Sequence, residues 1–204
     1  MNSRTNRAGK LACLFTGAIV ISALAAPSPA PALTKFGAKL SAMHSVTPAP
    51  HQCVPVAGPG CTRVGVAYGA TDAAGGNVAA RRKGKIKRIR LVASSPGNFR
   101  LFLARVKDLQ LPLGAGRARV TRKGPRIEYD GNGLTSRPVE RFEVGLKVKA
   151  REYLAIRSRS TSTLDCRGTT PNELLYQPPL GLGEPLDASD GSGTCQLLLQ
   201  AVVK

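Results

Sequence analysis

From Phe142 to Lys149 the chain alternates: Phe142, Val144, Leu146 and Val148 are apolar, and Glu143, Gly145, Lys147 and Lys149 fall between them. A period of two turns one set toward a core and the other toward water. The spacing predicts a half-buried antiparallel strand over residues 140–148. Similar short runs, separated by turn residues, predict strands near 63–68, 86–93, 99–106, 118–122, 126–129, 153–157, 174–177 and 196–203. The last run is apolar at nearly every position, the pattern of a strand buried on both faces. Turn signals include Gly75-Gly76-Asn77, Ser95-Pro96-Gly97-Asn98, Asp130-Gly131-Asn132-Gly133 and Pro178-Pro179. With no long helical period, the expectation is an all-β, two-sheet antiparallel sandwich of jelly-roll-like form.

The segment ahead of these strands reads differently. Arg4, Arg7 and Lys10 precede an apolar run from Leu11 to Ala26, and Ala23-Leu24-Ala25 offers small residues for cleavage. This is the pattern of a signal peptide over residues 1–25, and it falls short of the roughly 20 apolar residues that span a bilayer. Residues 26–52 are rich in Pro, Ala and Ser and read as a flexible linker, with room for a short amphipathic turn of helix between Leu33 and Met43. The folded domain is then expected at 53–204, in a secreted or cell-surface protein with no remaining transmembrane span.

Export changes the reading of the cysteines. Removing the leader leaves Cys53, Cys61, Cys166 and Cys195, an even number that implies disulfides outside the cell. Cys53–Cys61 and Cys166–Cys195 are the favoured pairs of three possible connectivities. A zinc site is disfavoured, since no C-x-x-C spacing occurs and both histidines, His44 and His51, lie in the linker.

Several of these runs, Glu140-Arg141-Phe142, Tyr153-Leu154-Ala155-Ile156, Leu174 to Leu180 and Leu197 to Val203, look like those of a known group. Over residues 64–203 the chain resembles secreted β-sandwich domains of unknown function from high-GC actinobacteria. The resemblance implies export and a sandwich fold, and no activity. Such domains usually carry Gly-Asp where this chain has Arg151-Glu152, which leaves the turn type open.

Charge adds the candidate chemistry. The 204 residues carry a formal net charge of +18. Arg81, Arg82, Lys83, Lys85, Lys87, Arg88 and Arg90 concentrate seven cations in ten positions, and residues 72–123 hold fourteen basic residues against two acidic ones. Such a field attracts polyanions, here an anionic envelope polysaccharide or another extracellular polymer. The plainer account is a solvated strand face. No aromatic residue interleaves with these cations, which argues against sequence-specific nucleic-acid binding.

A carbohydrate site would draw on Tyr129 with Asp130 and Asn132, or on Tyr176 with Gln177, although core tyrosines are the simpler reading. Asp187 to Gly193 lacks the regular ligand spacing of a calcium loop, so no metal or other cofactor is expected. No enzyme is expected either: there is no histidine in the domain for a triad, and Glu140 and Glu143 point to opposite faces of their strand. The reading is a non-catalytic binding module, with a structural domain that makes protein–protein contacts, or a carbohydrate-binding module, as the alternatives.

Overall fold

Four consecutive residues, Leu101-Phe102-Leu103-Ala104, are all buried, so their strand must be covered on both sides. The architecture follows from meeting that demand twice. The computed structural model describes residues 32–38, 40, 60–66, 78–110, 115–131, 138–158, 164, 166–167, 173–193 and 196–204. All belong to the unit Pro31–Lys204, distinct from Met1–Ala30. The signal peptide and most of the predicted linker lie outside the described residues.

The strands are β1 (Thr34–Gly37), β2 (Cys61–Gly65), β3 (Gly84–Leu91), β4 (Gly97–Gln110), β5 (Ala115–Tyr129), β6 (Glu140–Val148), β7 (Tyr153–Ser158), β8 (Cys166–Arg167), β9 (Glu173–Tyr176), β10 (Asp187–Ala188), β11 (Gly191–Gly193), β12 (Gln196–Leu197) and β13 (Leu199–Val203). No helix occurs among the described residues. One sheet has the order β1-β13-β3-β6 and the other β10-β5-β4-β7-β2-β9-β11, with β8 and β12 as a separate pair. All these pairings are antiparallel. The fold is therefore all-β and sandwich-like, as the alternation predicts.

The two sheets enclose the main core. Ile86, Ile89 and Leu91 from β3, with Leu199, Ala201 and Val203 from β13, meet Leu101 and Leu103 from β4 and Leu154 and Ile156 from β7. On β6, Val144 and Val148 are buried, while Phe142 and Leu146 are partly buried against the same core. Strand β13 is buried at all five positions, between β1 and β3.

The opposite face of β4 belongs to a second core. Phe102 and Ala104 pack there with Val64, Ala118, Val120, Ala155, Leu174 and Tyr176. The seven-stranded sheet covers this core by curling on itself. Residues 187–193 pair with β5 as β10 and with β9 as β11, so one short segment joins the two ends of the sheet. At its middle, the Ser189 amide donates to the Gly116 carbonyl and the Asp190 amide to the Leu175 carbonyl, each at 2.9 Å. The curl is tight enough that a Cβ on Gly116 would stand 2.9 Å from Leu174 Cδ1. Any larger residue there would have to displace the end of the Leu174 side chain.

Two expectations are corrected. Residues 34–37, placed in the linker with helical potential, form β1 and pair with Val203 to Gln200. Phe36 is the reason, since only an extended segment delivers it to the main core. The predicted strands 118–122 and 126–129 are one 15-residue strand, β5. Gly124 and Pro125, which lie between the two predicted runs, fall where the β4–β5 register shifts between Arg100 and Phe102. A bulge tolerates both residues within a continuous strand.

The β6–β7 connection holds a strained residue. Arg151 has φ +63°, where a non-glycine residue costs roughly 1–2 kcal/mol. Its amide donates to the Ala80 carbonyl at 2.7 Å, and the Ala80 amide donates to the Glu152 carbonyl at 2.9 Å. These bonds hold the turn in place. Arg151→Gly should raise the unfolding free energy by about 0.5 kcal/mol, the relieved strain less the extra chain entropy of glycine. Arg151→Val should lower it by about 1 kcal/mol or more. Urea denaturation of the two variants checks this, and the reverse order of stability would refute it.

Candidate functional site

The predicted basic segment divides at the start of β3. Arg81, Arg82 and Lys83 are exposed just ahead of the strand, and Arg82 Nη2 donates to the Ala32 carbonyl at 2.6 Å. Within β3, Ile86, Ile89 and Leu91 face the core. A register shift between Ile86 and Arg88 lets Lys87 and Arg88 both reach solvent. Across the edge strand β6 the partners are Lys85↔Lys147, Arg88↔Glu143 and Arg90↔Arg141.

Two of these three pairs oppose like charges, an arrangement that destabilises a sheet. Only Arg88 has an acid, with Nη2 at 2.8 Å from the Glu143 carboxylate. Arg90 Nη1 donates to Gln200 Oε1 at 2.7 Å. Its burial, then the neighbouring Arg141 and Arg88 guanidiniums, hold Arg90 below the ordinary arginine value. The outer face of the four-stranded sheet thus presents Lys85, Lys87, Arg88, Arg90, Arg141 and Lys147 around a single carboxylate, that of Glu143.

A second cationic cluster was not foreseen as a site. Strand β4 leaves the main core after Leu103, and the same face continues as Arg105 and Lys107, both exposed. Opposite them in register stand Arg119 and Arg117. Beside this hairpin lies an open groove of about 440 Å³, lined by Arg105, Arg119, Arg122, Lys149, Glu152 and Leu182 among others. Glu152 is its anchor, at 1% exposure. Its carboxylate accepts from Arg122 Nη1 at 2.5 Å, from the Lys149 amide at 2.6 Å and from Thr121 Oγ1 at 2.9 Å. The charged ends of Arg105, Arg119 and Lys149 have no carboxylate within 4.0 Å among the described residues. The sequence signal was present as Arg117, Arg119, Arg122 and Lys123, but nothing in it brings Lys149 and Glu152 alongside.

The tyrosine candidates are corrected. Tyr129 is 4% exposed and packs in the main core, its ring centroid 6.0 Å from that of Phe99. Tyr176 is fully buried in the second core, where its hydroxyl donates to the Gly116 carbonyl at 3.4 Å. Neither can serve as a sugar platform, because each ring is already covered by core side chains. Asp130 and Gln177 are exposed. The Gln177 amide donates to Asp190 Oδ2 at 2.5 Å, which ties the 187–193 segment to the end of β9. Asn132, Cys53 and Cys195 lie outside the described residues, as does the side chain of Cys166. Cys61 opens β2 and is buried.

The remaining carboxylates act locally. Glu140 accepts the amides of Asp130 and Gly131 at 3.2 and 3.1 Å. Exposed Glu128 lies 3.6 Å from Arg126. The most buried charge pair is Arg63 with Glu173, joined by two bonds of 2.9 and 2.8 Å at side-chain exposures of 5% and 0%. Two parallel bonds satisfy both groups, so the pair reads as a structural clamp between β2 and β9.

The fold and these surfaces define a β-sandwich with one curled sheet and two solvent-facing cationic clusters. No protein-family model, curated protein or solved structure matches the chain.

Two outcomes follow from the buried groups. Arg63→Met should cost about 3–5 kcal/mol of stability, because it strands the Glu173 carboxylate, whereas Arg63→Met with Glu173→Leu should recover most of that loss. Chemical denaturation of the three proteins reads both effects, and additive losses in the double variant would argue against the clamp. Burial, then Asp187 and Asp190, push the Tyr176 phenol far above its ordinary value. In the unfolded chain that phenol releases its proton near pH 10, so stability should fall as pH rises beyond about 10. Tyr176→Phe should flatten this alkaline decline in a series of pH-dependent melts, and an unchanged slope would exclude Tyr176 as its source.

Proposed function

We propose that this protein is a secreted, non-catalytic β-sandwich of the extracellular space or cell surface that holds anionic polymers against the outer face of β3 and β6. One observation carries the reading: Lys85↔Lys147 and Arg90↔Arg141 stand as directly opposed like-charge pairs on a solvent-facing sheet surface. Same-face residues along a strand repeat every ~7 Å, inside the Debye length of about 8 Å at physiological salt, so these cations act together on a chain of anionic groups. An anionic envelope polysaccharide meets that description. The ligand is recognised by its charge spacing more than by its sequence or ring chemistry.

The competing readings have less support. Carbohydrate recognition by stacking lacks platforms, since Tyr129 and Tyr176 are buried. A protein-docking surface lacks an apolar patch: Leu33 and Leu182 are the large hydrophobic side chains exposed among the described residues, and they are single. Export is supported by the signal-like leader, by the resemblance to secreted actinobacterial domains and by the even number of cysteines that follow the leader. Cys53–Cys61 and Cys166–Cys195 remain the proposed pairs. The β8–β12 register sets Cys166 opposite Leu197, two positions along from Cys195.

Retention on heparin and on a teichoic-type matrix tests the polymer reading. Binding should be firm at low salt and fall steeply as salt rises. Lys85→Glu, Lys87→Glu and Lys147→Glu together should elute at about half the wild-type salt concentration or below. Weak retention at low salt, or retention indifferent to the triple reversal, would remove the outer face from consideration.

A further inference from the structure

We propose that the groove beside the β4–β5 hairpin is a separate pocket for a phosphate monoester, distinct from the polymer-holding face. Three features of its construction lead there.

The first is the buried anchor. Glu152 accepts from Arg122, Thr121 and the Lys149 amide, which fixes the Arg122 guanidinium from behind. A guanidinium has five N–H donors in a rigid fork, and the bond to Glu152 uses one nitrogen. Arg122 is 24% exposed on its side chain, so the fork reaches the groove already oriented. Such prior orientation lowers the ordering cost of binding.

The second is uncompensated charge. Arg105 and Arg119 are register partners, and their guanidiniums and the Lys149 ammonium have no carboxylate within 4.0 Å among the described residues. The acid nearest to Arg105 in sequence, Asp108, lies against Arg117 at 4.0 Å instead. An anion between Arg105 and Arg119 converts their repulsion into two attractions. Arginine favours phosphate because its planar fork matches two oxygens at once.

The third is shape. About 440 Å³ exceeds what a bare ion needs and lies in the range of small-molecule sites. Leu182 supplies an apolar wall. Leu182 is 56% exposed and held in place by its bridge to Val120. The phosphoryl group belongs on Arg105, Arg119 and Arg122, and the carbon body of the ester against Leu182.

Titration calorimetry on the full chain tests this, with inorganic phosphate and butyl phosphate as probes. Both should saturate one site, butyl phosphate severalfold more tightly. Arg105→Ala with Arg119→Ala, two exposed changes that spare the fold, should weaken both probes at least tenfold, as expected for lost charge-assisted bonds. Leu182→Ser should erase the advantage of butyl phosphate and leave inorganic phosphate unchanged. The triple reversal at Lys85, Lys87 and Lys147 should leave phosphate binding within about twofold, so this pocket and the outer face can fail independently. A glycerol phosphate oligomer that competes in proportion to its terminal phosphates would assign the pocket to polymer ends. Competition by the monoester alone would assign it to a free metabolite, and either result supports the site. No saturable binding at tens of millimolar phosphate, or binding unchanged by the two alanines, would overturn it.

Discussion

Strand β4 has no polar face to offer between Leu101 and Ala104, and the rest of the molecule is arranged around that fact. Leu101 and Leu103 require a cover on one side, Phe102 and Ala104 on the other. The four-stranded sheet supplies the first, with β3 and β13 lying across the main core. The second comes from the parent sheet itself, curled until residues 187–193 bond to both β5 and β9. Full burial of each of the two leucines and of Phe102 contributes about 1.5–3 kcal/mol. Exposing either face of β4 would therefore forfeit part of that total. Closing the curl also covers the β9 edge and the start of the β5 edge, and open sheet edges are otherwise sites of aggregation.

The same strand sets where the charge begins. Past Ala104 the covering sheet ends, and the face that carried Leu101 and Leu103 carries Arg105 and Lys107 instead. The hairpin therefore projects a cationic surface from an apolar base. Like-charge neighbours survive there because their long side chains spread into water, where opposed charges interact weakly. The acids follow a different distribution. Glu152 and Glu173 are buried as anchors for Arg122 and Arg63, and their charge is consumed inside. Each takes one arginine with it, so the formal net charge of +18 is carried by the groups that remain.

Much of this fold was legible because periodicity of two is a local signal. The alternation at Phe142 to Val148 and the apolar run at Leu199 to Val203 each forecast their own burial. What escaped depends on contacts distant in sequence. Thr34 to Gly37 looks like linker until Val203 pairs with it, and the runs on either side of Gly124-Pro125 look like two strands until the bulge joins them. Tyr129 and Tyr176 sit beside turn residues in sequence, yet both rings point into cores. The seven-cation run at Arg81 to Arg90 was visible as composition. Its opposition to Arg141 and Lys147 was not, because register is set by the whole sheet. The groove was the least legible feature, since Arg122 and Glu152 meet across thirty residues.

That meeting explains the choice of residues in the β6–β7 turn. A Gly-Asp pair would close the same connection with less strain, since glycine adopts a positive φ freely. A short carboxylate could also accept the Lys149 amide from within the turn. Glutamate adds one methylene, and with it the Glu152 carboxylate spans from the turn to Thr121 and Arg122 on β5. The Ala80 bonds to Arg151 and Glu152 keep the strained turn from relaxing. The turn thereby joins two strands and orients a cation on a third. Arg151 is the strained member of that arrangement and Glu152 the useful one. A carboxylate confined to the turn could satisfy only the Lys149 amide, so it is the extra reach of Glu152 that ties the β6–β7 connection to β5.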